Sequence, residues 1–293
     1  MQASRPEMST LSSRAGSVSA VIPTLNEAQN IGWVVGRLPE CVDEVIVVDG
    51  RSTDGTIAAA MRARPDARIV REPAPGKGVA LRAGFAHAQG DIIVMLDADG
   101  SMEPAEIVRY VAMLEAGYDL VKGSRFLPGG GTTDISRIRS FGNLALLVLA
   151  NRIYGCAFTE LCYGFMAFRR SVLGRLALTA DGFEIEAQIV ARAMRAGLSI
   201  AEVPSFEAVR RSGTSNLRTF RDGTRVLRGL VTERMYAWPP REPDARGRHP
   251  AYPRRRQRAA LVTGSSLVAR QSPGPRPELE LESTAEWRSA PRS

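Results

Sequence analysis

The chain has 293 residues, 44% of them hydrophobic, and its 39 Lys and Arg against 31 Asp and Glu give a formal net charge of +8. That is enough apolar material for one large α/β domain or two small ones, and the basic balance favours anionic partners such as nucleotides, phospholipid headgroups or nucleic acid. Three cysteines without metal-finger spacing point to a reduced compartment rather than a disulfide framework, and with only two distant histidines, His87 and His249, a histidine-based zinc site and a Ser-His-Asp triad are excluded.

Residues 1–16 lack the apolar segment of a secretory signal and read as a flexible leader. Short β-branched runs then follow at 18–23 (VSAVIP), 44–50 (EVIVVDG), 67–70 (ARIV) and 91–96 (DIIVML). Between them lie AQNIGWVVGRL, TIAAAMRAR and KGVALRAGFAHA, each compatible with a helix. This βαβαβαβ pattern predicts an α/β fold: right-handed crossovers build a mostly parallel sheet with helices on both faces and a ligand crevice at the carboxyl ends of the strands. The most apolar run, LALLVLA at 144–150, is far shorter than the ~20 residues of a spanning helix, so a soluble or membrane-peripheral cytoplasmic protein is expected. After Trp238 the composition turns to Pro and Arg, with PRRRQR at 253–258, which divides the chain into a folded domain over 17–236 and a disordered tail over 237–293. A contact of that tail with anionic lipid is one expectation; nucleic acid is not favoured as a partner.

Polar residues cluster where the strands end. The first strand runs into Pro23, Asn26 and Glu27, the second into Asp49 and the RSTDG turn, and the fourth into Asp97-Ala98-Asp99. Asn26 and Thr53 also suit helix caps, and Asp54-Gly55 a turn. Asp97 and Asp99 are different: at positions i and i+2 of an extended segment both carboxylates approach one point, where like charges repel unless a cation lies between them. Mg²⁺ or Mn²⁺ takes one or two carboxylates and completes its shell with water and phosphate oxygens, which implies a nucleotide diphosphate ligand.

VIPTLNEAQNI, VIVVDGRSTDGT, PGKGVALRAGFAHAQGDIIVMLDADGS, LVKGSRF and GFEIEAQIVARAMRAGLSIAEVP together resemble the family 2 glycosyltransferases, and within them the polyprenyl-phosphate (dolichyl-phosphate) mannosyl- and glucosyltransferase branch. The resemblance spans about residues 18–230 and implies a GT-A type nucleotide-diphospho-sugar transferase fold. It implies that Pro23, Asn26, Glu27 and Asp49 contact the donor nucleotide and that Asp97 and Asp99 bind metal and diphosphate. Lys77, one of two lysines in the chain, would face phosphate across glycines that let backbone and nucleotide approach. The stretch 124–143 carries Arg125, Arg137, Arg139 and Ser140, and in the family arginines and a serine here bind the acceptor phosphate, to which guanidinium forks are suited. Arg210, Gly213 and Ser215 match a basic loop that in relatives closes over the donor phosphates, with Asn216 where many members carry lysine. Glu160 stands where relatives have aspartate.

An inverting, metal-dependent transfer of mannose or glucose from GDP-mannose or UDP-glucose to a polyprenyl phosphate is the function this resemblance implies. Asp97, Asp99, Lys77 and Arg210 would offset the charge that develops on the leaving diphosphate, with Arg125 and Arg137 on the acceptor. A hydroxyl acceptor of a glycan or small metabolite is the alternative. It would need a base from among Asp181, Glu184 and Glu186, with Glu184, near a helix start, taken as catalytic although an acid there also serves the helix dipole. Two other classes remain: a nucleotidyltransferase, which would open on a glycine-rich first loop, and a basic nucleic-acid-binding or scaffolding protein, which leaves the three gathered aspartates unexplained.

Overall fold

The computed structural model describes residues 16–133, 137–214 and 219–235. The expected leader up to residue 15 and the Pro/Arg-rich tail lie outside the described residues, as do Ser136, Ser215, Asn216 and the side chains of Arg137 and Arg139.

The first half alternates as its sequence pattern requires: β1 (Val18–Thr24), α1 (Ile31–Gly36), β2 (Glu44–Asp49), α2 (Thr56–Ala63), β3 (Arg68–Arg71), α3 (Lys77–His87) and β4 (Ile92–Met95). It continues through α4 (Ile107–Glu115), β5 (Leu120–Ser124), β6 (Gly131–Thr132), α5 (Arg137–Tyr154), β7 (Met166–Arg169), α6 (Leu173–Leu176), α7 (Ile185–Arg195), β8 (Ile200–Pro204), β9 (Phe206–Glu207) and α8 (Thr219–Met235). Seven strands form one sheet in the order β3-β2-β1-β4-β7-β5-β8, and β6 pairs with β9 separately. All neighbours in the large sheet run parallel except β7, which lies antiparallel between β4 and β5.

Why the early strands read as unbroken apolar runs is clear from their burial. Val21, Ile46, Val48, Ile93 and Met95 point into a core shared with α3, α5 and α7. The alternate residues Val18, Ala20, Ile22, Val45, Val47, Ile92 and Val94 are buried as well, on the face carrying α1, α2 and α4, so both sides of these strands are covered. Gly84 lets α3 lie close on this sheet, since a Cβ there would press into the side chains of Val21 and Val48. Phe85 meets Phe168 edge-on at 5.2 Å, and Tyr110 stacks on Phe165 at 4.4 Å, tying α3 and α4 to β7 and the turn before it.

In the register of β1 and β2, Thr24 lies beside Asp49. Met95 pairs with Val21, which puts Asp97 just past the end of β4 on the same edge of the sheet. The three polar strand ends therefore share one rim, where parallel strands leave a crevice. No helix among the described residues is long and apolar enough to cross a membrane.

Candidate active site

A cavity of about 460 Å³ opens on that rim. Pro23, Glu27, Lys77, Asp97, Asp99, Arg125 and Arg210 all line it, so seven of the residues singled out in the sequence meet in one place.

Asp97 lies two residues past the end of β4 and Asp99 falls in the turn that follows, so the pair does not sit on the extended segment expected from the sequence. The Asp97 Oδ1 lies 2.6 Å from the Lys77 Nζ, and the Asp99 Oδ1 accepts a hydrogen bond from the Ser101 N–H at 3.0 Å. Lys77, the first residue of α3, also reaches the Glu186 Oε1 at 2.7 Å and sits 5.5 Å from the centre of the Phe183 ring. Burial opposes its charge, but the carboxylates of Asp97 and Glu186 outweigh that and raise its pKa. Glu186, buried on the first turn of α7, is pushed up by desolvation and held back by Lys77.

The part of the cavity beside α1 is bound together by polar clamps. Arg210 Nη2 contacts Glu27 Oε1 at 2.6 Å while its Nη1 stands 4.0 Å from Asp99 Oδ2. Glu27 Oε2 accepts from Asn30 Nδ2 at 2.6 Å, and Asn30 Nδ2 also donates to the Ser212 carbonyl. Arg211 lies over the Trp33 ring at 4.7 Å with Arg37 also on that ring at 5.0 Å, so the 208–212 strap is held against α1. Asp49 is buried; its Oδ2 accepts from the Ser52 N–H and its Oδ1 has no protein partner.

Elsewhere in the cavity lining Arg125 is gripped by carboxylates. Its Nε and Nη2 donate to Glu160 at 2.8 and 3.0 Å, and its Nη1 to Glu207 at 2.7 Å. Desolvation works against the guanidinium, but these partners raise its pKa further. Glu160 Oε1 also accepts from Asn143 Nδ2 of α5, and Lys122, fully buried on β5, donates to the Glu160 carbonyl at 2.5 Å.

Several expectations change in this geometry. Glu184 does not line the cavity: it stands one residue before α7, its Oε1 accepting from the Gly182 N–H at 3.0 Å, whereas the first helical turn carries Glu186 into the site. Asn26 works within the protein, its Oδ1 accepting from the Thr53 N–H and its own N–H donating to Ser52 Oγ, with φ of 57°. The glycines beside Lys77 serve protein backbone, since a Cβ at Gly76 or Gly78 would run into the carbonyls of Asp181 and Ala180, and the Gly78 N–H donates to Asp181 O at 2.8 Å. Asp49 and Ser140 are not among the lining residues, and Arg137 and Arg139 lie on α5 with side chains outside the described ones. Glu207 and Gly164 had no signal in the sequence: Glu207 reaches Arg125 across 82 positions, and Gly164 matters through the space it leaves. None of Cys41, Cys156 and Cys162 forms a disulfide.

A divalent cation fits Asp97 and Asp99. Among the described residues no three His, Cys, Asp or Glu side chains form a complete cage, so a cation there would take its other ligands from phosphate and water, the habit of Mg²⁺ and Mn²⁺. Cationic groups on both sides, Lys77 and Arg210, suit the diphosphate that would accompany it.

Residues 19–177 match the family described as Glycosyl transferase family 2. The chain is 34% identical over 224 residues to the glycosyltransferase AglJ of Haloferax volcanii, covering 75% of this chain and 71% of that one. It is 33% identical over 210 residues to the polyprenol monophosphomannose synthase of Mycolicibacterium smegmatis, covering 67% and 79%. The glucosyl-3-phosphoglycerate synthase of Mycobacterium tuberculosis, solved with Mn²⁺, uridine diphosphate and glucosyl-3-phosphoglycerate, superposes with a TM-score of 0.62 at 28% identity, covering 77% of this chain and 82% of that one.

Proposed function

The chain belongs to glycosyl transferase family 2, and from that premise we propose that it moves a hexose, mannose or glucose, from a nucleotide diphosphate sugar to a polyprenyl phosphate with inversion at the anomeric carbon. The observation that carries this reading is the convergence of Asp97, Asp99, Lys77 and Arg210 on one cavity at the carboxyl edge of the sheet. The acceptor class is supported by the relative named polyprenol monophosphomannose synthase. Family membership makes the chain a glycosyltransferase and decides against the nucleotidyltransferase and scaffolding readings.

Breaking the bond between anomeric carbon and diphosphate builds negative charge on the leaving oxygen. Lys77 and Arg210 would face that charge, and Asp97 and Asp99 would hold Mg²⁺ or Mn²⁺, which when bound neutralises the diphosphate. Pro23 and Glu27, which line the cavity, would fix the nucleoside, with Asp49 buried at the end of β2 beside Thr24. A phosphate acceptor is already ionised near neutral pH, so it needs orientation and no base. Arg137, Arg139 and Ser140 on α5 would orient it, and Arg125 would act through the carboxylates and loop it fixes. The domain over 17–236 would carry this activity at the cytoplasmic face of the membrane, with the tail over 237–293 contacting anionic lipid.

Glu186 favours a second reading. A buried carboxyl with a raised pKa in the cavity is suited to deprotonate a sugar or metabolite hydroxyl. Incubating the protein with Mn²⁺, radiolabelled GDP-mannose or UDP-glucose, and either undecaprenyl phosphate or 3-phosphoglycerate separates the two. Label extracted into organic solvent only with the lipid supports phosphate transfer; label confined to a water-soluble product supports the hydroxyl reading instead.

A further inference from the structure

Lys77 has two carboxylate partners of unequal accessibility. The Asp97 side chain is 28% exposed to the cavity and the Glu186 side chain 9%, with the ammonium 2.6 and 2.7 Å from them. All three groups converge over Gly164, where a Cβ would stand 2.9 Å from Asp97 Oδ2, 3.0 Å from Lys77 Nζ and 3.1 Å from Glu186 Oε1. A Cβ at 164 would press on the tips of all three side chains.

An ammonium resting on Asp97 competes with any cation that this carboxylate is to bind. A buried charge left without a partner is strongly destabilising, so an ammonium that simply lost Asp97 would oppose the exchange. We propose that Glu186 is the positioning residue that retains Lys77 when Asp97 is drawn to a divalent cation, so that Lys77 is a resident cation handed from Asp97 to Glu186 as the donor site fills. The exchange never strands the ammonium, and it keeps Nζ beside the cavity, where a diphosphate would lie. Asp97 can move toward the open cavity; Glu186, packed on the first turn of α7 near Phe183, provides the fixed end.

This inference rests on Asp97 and Asp99 being the metal carboxylates, and a cycle of variants in the full chain tests the two separately. The probe is Mn²⁺ alone, followed by electron paramagnetic resonance as free ion is lost, for the unsubstituted protein, Glu186→Gln, Lys77→Met and the double variant. Glu186→Gln weakens Mn²⁺ binding about tenfold while Lys77 is present, and by less than about twofold in the Lys77→Met background; Lys77→Met alone tightens it. Equal losses in both backgrounds would mean that Glu186 acts through its own charge, and that would overturn the inference, as would no loss in either. Lys77→Gln replaces Lys77→Met if the latter does not fold. Mn²⁺ binding that survives Asp99→Ala, or no binding even when a nucleoside diphosphate is added with the metal, would instead overturn the metal reading together with this one.

Discussion

The Arg125 guanidinium is clasped by Glu160 through two hydrogen bonds of 2.8 and 3.0 Å, on a carboxylate that is completely buried. An arginine so held has little capacity left for a substrate phosphate; it joins the end of β5 to the 159–163 loop and, through Glu207, to β9. Arg125→Ala would leave two carboxylates without their shared cation. A loss of about 3–5 kcal/mol in folding stability is expected from breaking one side of a buried ion pair. Urea unfolding followed by circular dichroism measures it, and a loss within error of zero would show the clasp to be dispensable.

The two glycines around Lys77 make a sharper contrast with a third. At Gly78 a Cβ would collide with the Ala180 carbonyl, while at Gly36, in the last turn of α1, nothing lies within 4 Å. Gly78→Ala should therefore destabilise by about 1–3 kcal/mol through overpacking. Gly36→Ala should be neutral or stabilise by up to about 1 kcal/mol through helix propensity. Thermal melts of the pair check this, and similar shifts for both would remove the role assigned to the Ala180–Asp181 contact.

Acid pH should loosen the loop between β2 and α2. Burial alone would raise the Asp54 pKa, but hydrogen bonds from the Thr56 hydroxyl and from the Ala28 and Thr56 N–H groups outweigh it and lower the value below 3.8. A carboxyl with a lower pKa in the folded state adds stability that is present above pH 3.8 and lost as the pH falls through its depressed value. The stability gap between the unsubstituted protein and Asp54→Asn should thus be widest near neutrality and close below about pH 4. Urea midpoints taken from pH 3 to 7 test the sign; a gap constant across that range would contradict it.

Much of this architecture is written locally. β1, β2 and β4 are rich in Val and Ile because both faces of the sheet are covered, and Asp97 and Asp99 stand out because they come just after such a run. The later strands are harder to read. β5 contains Lys122 and Gly123, and β8 contains Glu202, polar residues whose burial is made tolerable by each other: the Lys122 Nζ lies 3.4 Å from Glu202 Oε1, and Glu202 also accepts from the N–H groups of Thr159 and Glu160. The antiparallel insertion of β7 between β4 and β5 depends on which partners it finds in space, and no short pattern encodes that.

The same division runs through the site. Residues that act from strand ends were legible, while those that act by pairing across the chain were not. Arg125 was visible as an arginine, but its neutralisation by Glu160 and Glu207, 35 and 82 positions away, was not. Choosing Glu186 over Glu184 requires the phase of α7, which its sequence alone leaves open by a residue or two.

Isothermal titration with GDP-mannose and with UDP-glucose, each in Mn²⁺ and in EDTA, beside Asp99→Ala, addresses the central claim directly. The account predicts that one sugar nucleotide binds in Mn²⁺, and that binding falls away in EDTA and in Asp99→Ala. Binding that is indifferent to both the chelator and the substitution, or no binding of either nucleotide under any condition, would contradict a metal-assisted sugar-nucleotide site at Asp97 and Asp99.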